Sequence, residues 1–70
     1  MFDREEEMDR YLDEIKDMLR RKQYAAVRDL LLPLEPPDIA MLLEESGEEF
    51  MPLLYRLLPK ETAAEVFVEL

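Results

Sequence analysis

Leu30-Leu31-Leu32-Pro33-Leu34-Glu35-Pro36-Pro37-Asp38-Ile39-Ala40-Met41-Leu42-Leu43 is answered, twenty-three positions on, by Leu53-Leu54-Tyr55-Arg56-Leu57-Leu58-Pro59-Lys60-Glu61-Thr62-Ala63-Ala64-Glu65-Val66. Leucine pairs, proline, acid and alanine recur in register, as Leu30-Leu31, Leu34, Pro36, Asp38 and Ala40 against Leu53-Leu54, Leu57, Pro59, Glu61 and Ala63. A repeat of this length is one supersecondary unit, which cannot bury its apolar face alone and has to stack on a neighbour. The repeats run over about 30–45 and 53–70. They predict an all-α stack that presents a surface rather than enclosing a catalytic pocket.

Working outward, proline at Pro36 suits the first helical position, where the missing N–H has no partner to lose. Asp38 then falls in the first turn, facing unpaired N–H groups, and Ser46-Gly47 is a natural stop. The same recipe has Pro59 open a last helix, with Glu61 in its first turn and Ala63, Val66, Phe67 and Leu70 directed inward. Between these two, Phe50, Leu53, Leu54, Leu57 and Leu58 form a helix beginning near Glu48 or Glu49. That start keeps Pro52 in or near the tolerant first turn, because an interior proline costs about 3 kcal/mol or more. A shorter helix is expected from Tyr24 to Leu32, stopped before Pro33.

The N-terminal segment, residues 1–22, reads as one amphipathic helix from about residue 3 to residue 22. Met8, Tyr11, Leu12, Ile15, Met18 and Leu19 share a stripe. Acids gather at its start and Arg20-Arg21-Lys22 at its end, in keeping with the helix dipole. The expected architecture is therefore about five short helices joined by turns of two to four residues: the N-terminal helix, then a helical-repeat domain over 23–70.

Composition narrows the function classes. Eighteen acids against nine bases give a formal charge of −9, the wrong sign for a nucleic-acid binder and suited to cationic partners or divalent metals. There is no cysteine and no histidine, which removes thiolate chemistry, the usual general base and the commonest transition-metal ligands. Ser46 and Thr62 are the only aliphatic hydroxyls, with no histidine to activate either. One glycine cannot make a phosphate-binding loop. A non-catalytic role follows. The longest apolar run, Leu30 to Leu34, falls far short of the roughly 20 residues of a membrane span, and the acidic N-terminus is unlike a signal peptide. A soluble, cytoplasmic chain is expected, with a membrane involved only through a parent protein.

Two acidic stripes stand out. Glu61, Glu65 and Glu69, spaced i, i+4, i+8, line one face of the last helix, and like charges at that spacing destabilise it unless something neutralises them. Magnesium or calcium, which take carboxylate oxygens, would do so; a solvated acidic face is the plainer alternative. Asp9, Asp13 and Asp17 repeat the pattern on the first helix, where Arg10, Lys16 and Arg20 are near enough to pair with them. At the other extreme of polarity, Val66-Phe67-Val68-Glu69-Leu70 has no following unit to cover it, so this apolar end is expected to form a homodimer, swap a helix or stay frayed.

From about Ile15 to Leu70 the chain resembles the cytoplasmic N-terminal domain of MgtE-type magnesium transporters. The likeness is carried by Leu34-Glu35-Pro36-Pro37-Asp38-Ile39-Ala40-Met41-Leu42-Leu43-Glu44-Glu45 and by Leu54-Tyr55-Arg56-Leu57-Leu58-Pro59-Lys60-Glu61-Thr62-Ala63-Ala64-Glu65-Val66. Ser46-Gly47 and Pro52 depart from the family pattern. The resemblance implies a right-handed superhelix of short helices, followed in a transporter by CBS domains and a membrane pore. In that family Mg2+ bridges the acidic surfaces of the N and CBS domains and holds the closed state. Glu65 takes the position of an interface glutamate, and Glu61 and Glu69 are its neighbours. One surface alone supplies few ligands and magnesium sheds water reluctantly, so binding to this chain by itself is expected to be about millimolar or weaker. The competing reading is a helical-repeat interaction adaptor, similar to the superhelices of the flagellar motor switch protein, with no metal sensing.

Overall fold

The leucine and proline frame produces five helices: α1 (Glu5–Arg20), α2 (Tyr24–Leu31), α3 (Pro36–Ser46), α4 (Met51–Leu57) and α5 (Lys60–Glu69). A computed structural model describes residues 5–70. Among them there is no strand, and the chain is all-α as its periodicity requires. The expected start of the first helix near residue 3 lies outside the described residues.

The helices form two rows. Substantial contacts run α1–α3 and α3–α5 along one row, α2–α4 along the other, and α1–α2 and α3–α4 between rows. Helix α3 therefore has three substantial neighbours, whereas α5 has only α3. The radius of gyration, 10.9 Å, equals the value of about 11 Å expected of a compact chain this long, so the two rows enclose one core.

That core takes Met8, Leu12, Ile15 and Leu19 from α1, a 4–3–4 spacing that keeps one stripe against the partner helices. It adds Val27 and Leu31 from α2, Ile39, Ala40, Leu42 and Leu43 from α3, Leu54 from α4, Leu58, and Val66 from α5. Tyr11 and Met18 from the predicted stripe lie at its half-buried edge. The repeat survives folding: Leu31 and Leu54 are both fully buried, as are Leu43 and Val66, while Leu30, Leu53, Leu34 and Leu57 are all half-buried.

Four helix ends differ from expectation. The first helix stops at Arg20 because Lys22 turns into the left-handed region at φ 62°. There its N–H reaches the Leu19 carbonyl at 3.1 Å and that of Gln23 reaches Met18 at 2.9 Å. This is a Schellman closure with lysine where glycine is usual. Leu32 caps the second helix and does not extend it. The fourth helix begins at Met51, not at Glu48 or Glu49, which lie in the turn before it. Gly47 (φ 88°, ψ 169°) sends the chain out of α3, and the Met51 N–H bonds the Gly47 carbonyl at 2.9 Å. Pro52 does fall in the first turn, where its absent N–H costs nothing. Pro36 is the first residue of α3 as predicted, but Pro59 stays extended (ψ 151°) as the N-cap of α5. Its carbonyl accepts the Ala63 N–H at 2.8 Å, so the second helix of the repeat starts one residue later than the first.

Two tyrosines bolt successive helices together. The Tyr11 hydroxyl on α1 donates to the Leu30 carbonyl on α2 at 2.9 Å. That of Tyr55 on α4 donates to the Ala63 carbonyl on α5 at 3.2 Å.

Candidate functional surface

The three carboxylates proposed as metal contacts, Glu61, Glu65 and Glu69, all sit on α5. Lys60 to Glu69 is helical because the extended Pro59 launches it and Ala63 and Val66 anchor one side to the core. Glu61, Glu65 and Glu69 are exposed. At about 1.5 Å rise per residue, neighbours in the stripe are roughly 6 Å apart along the axis and the outer two roughly 12 Å. They share a face without sharing a coordination sphere. Among the described residues no group of three or more Asp, Glu, His or Cys is placed to hold one ion. The stripe can offer an ion a carboxylate or two, with the remaining ligands coming from water or from an opposing surface.

The meaning of this face emerges from the repeat. Twenty-three residues earlier, the equivalents of Glu65 and Glu69 are Leu42 and Ser46, both buried in α3. Ser46 satisfies its hydroxyl by donating to the Leu43 carbonyl at 2.6 Å. The central helix thus buries two of the three positions at which α5 carries these glutamates, the third being the half-buried Asp38 opposite Glu61. The plain structural role of the stripe is that of a solvated helix face.

The second stripe behaves differently from expectation. Asp9, Asp13 and Asp17 are exposed, but Asp17 pairs with Arg21 at 3.3 Å, not with Lys16 or Arg20. Both side chains are more than half exposed, so the pair contributes little. Lys16 and Arg20 instead approach the Phe50 ring, at 5.8 and 5.9 Å from its centroid, a cation–π contact that ties α1 to the start of α4.

Phe67 and Leu70, expected inside, are outside: they are 67% and 44% exposed, and Val68 beside them is 80% exposed. The cause is the face they occupy: the equivalent positions of the first copy, Glu44, Glu45 and Gly47, are exposed as well, and on α5 only Val66 is fully buried. Phe67 and Leu70 join Met51, Pro52 and Tyr55 of α4 in an open depression of about 290 Å³ with purely apolar walls. The Tyr55 hydroxyl, engaged by Ala63, leaves only its ring to this groove. Reading the second copy alone by helical spacing missed it. The signal was in the comparison of copies, which sets Phe67 against Glu44 and Met51 against Arg28.

Fold and surface together define a class, a small helical-repeat stack with an acidic outer face and an apolar groove beside it. No family model, curated protein or solved structure matches the chain. The likeness to magnesium-transporter N domains rests on the residues quoted for it. Among the described residues no helix is long and apolar enough to cross a membrane.

Proposed function

We propose that the chain is a regulatory, non-catalytic domain of a magnesium transporter, facing the cytoplasm. In this reading its α5 carboxylates form half of a Mg2+-dependent interface with CBS domains. The observation that carries the reading is the exposed row Glu61, Glu65 and Glu69 on α5, where the counterparts of Glu65 and Glu69, Leu42 and Ser46, are buried. Carboxylates pressed against those of a partner repel by about 4 kcal/mol per pair at 4 Å and an effective dielectric near 20. A divalent ion between them reverses the sign, so the closeness of the two surfaces reports magnesium. Glu65, where the family resemblance falls, is the principal contact, with Glu61 and Glu69 flanking it.

The test is a magnesium titration of isotope-labelled protein at fixed ionic strength, with sodium as control. Amide shifts focused on residues 61–69 and weakened by Glu65→Gln support the reading. Diffuse shifts that sodium reproduces would refute a defined site. A second reading, the interaction adaptor, is favoured by a separate observation, the apolar groove between α4 and α5.

A further inference from the structure

Deepening the adaptor reading, we propose that the groove formed by Met51, Pro52, Tyr55, Phe67 and Leu70 docks the apolar face of a cationic amphipathic helix from another protein. The first argument is internal. In the first copy the equivalent positions are Arg28, Asp29, Leu32, Glu44 and Gly47, and all five are exposed. The stack therefore does not cover this face when it continues past a unit. The apolar residues of the second copy are neither a requirement of the frame nor a seat left for the next repeat. On an otherwise acidic chain, an apolar depression at positions where the scaffold itself tolerates charge marks an interaction site.

Charge selects the occupant. The chain carries −9, and residues 41–70 hold seven acids and only two bases. A second copy would bring two such ends together, whereas a cationic helix is drawn in by the field and held by apolar contact. Shape selects a helix. Phe67 and Leu70 span about 4.5 Å of the α5 axis and Met51 to Tyr55 about 6 Å of α4, so the groove seats one apolar turn of a helix of about ten to fourteen residues. Phe67, the most exposed aromatic among the described residues, is the natural anchor. The groove is also separate from the carboxylate row, since Glu65 and Phe67 lie about 200° apart around α5.

The probe is a labelled synthetic amphipathic peptide of that length, leucine on one face and lysine on the other, followed by fluorescence anisotropy against the intact chain. A scrambled peptide of the same composition and a glutamate-for-lysine version are the controls, and sedimentation reports the oligomeric state. The decisive variant is Phe67→Glu, which installs the first copy's residue and adds negative charge. The proposal expects the lysine peptide to bind best and Phe67→Glu to weaken it about tenfold although the protein becomes more acidic. If Phe67→Glu tightens binding, or the scrambled peptide binds equally, attraction is by charge alone and the proposal is overturned. A dimer dispersed by Phe67→Glu, or preference for the glutamate peptide, overturns the cationic occupant and leaves the adaptor reading standing. No binding by a monomer removes both.

Discussion

The helices α3 and α5 are two readings of one sequence frame, and their difference lies in their surroundings. Both begin after an extended residue near a proline, both place an acid in the first turn, and both bury one fully enclosed aliphatic residue, Leu43 or Val66, at the same position. Helix α3 is packed by α1, α4 and α5, and it accordingly buries Ile39, Leu42 and Ser46 as well. Helix α5 leans chiefly on α3, and at the corresponding positions it carries Thr62, Glu65 and Glu69. One copy is scaffold on every side. The other keeps the scaffold contact and turns the remainder outward, with carboxylates on one flank and an apolar groove on the other.

The comparison breaks most severely if the outer copy's residue is placed in the inner one. Leu42 is fully buried, so Leu42→Glu leaves a charge without a partner in the core and is expected to cost more than about 4 kcal/mol. Chemical denaturation or circular dichroism would show an unfolded chain, and a folded variant would mean that α3 is not enclosed. The link between the copies comes next. Gly47 sits at φ 88° and ψ 169°, a region nearly closed to other residues, and a Cβ there would meet nothing within 4 Å. Gly47→Ala therefore isolates the backbone strain, about 1–3 kcal/mol by denaturant midpoint.

Smaller effects come from the tyrosine bolts. Tyr55→Phe and Tyr11→Phe should each cost about 0.5–1.5 kcal/mol, with the loss at Tyr55 confined to the α4–α5 contact. Burial, and then the Glu14 charge, raise the Tyr11 pKa above its ordinary value of 10. Its neutral form is thus favoured in the fold. The associated stability is fully present below pH 10 and is lost as pH rises through the raised value. Wild type should lose stability at alkaline pH more steeply than Tyr11→Phe does, and parallel pH profiles would contradict this. Least of all, Phe67→Glu should shift stability by no more than about 0.5 kcal/mol, because that side chain is two-thirds exposed.

Much of this is legible in the sequence. The paired leucines set which positions fill the core, and Pro36, Gly47 and Pro52 punctuate helices where expected. Illegible from the second copy alone was the facing of α5, since helical spacing marks Phe67 as core whereas its counterpart Glu44 lies on an uncovered face. Local chemistry likewise left the ends ambiguous. Lys22 adopts a left-handed turn that glycine would have announced, and Pro59 caps a helix that Pro36 in the same frame begins. The carboxylates of α5 were visible as a stripe, but only the packing explains why a stripe is permitted there and not on α3.

Residue-resolved amide hydrogen exchange tests the central claim, that one frame serves as enclosed scaffold in α3 and as outward surface in α5. The amides of Leu42 and Leu43 should exchange only through global unfolding. Those of Val66 to Val68 should exchange at least about tenfold faster, through local opening of α5 that leaves the other helices in place. Equal protection of the two helices, or slower exchange in α5, would contradict the account.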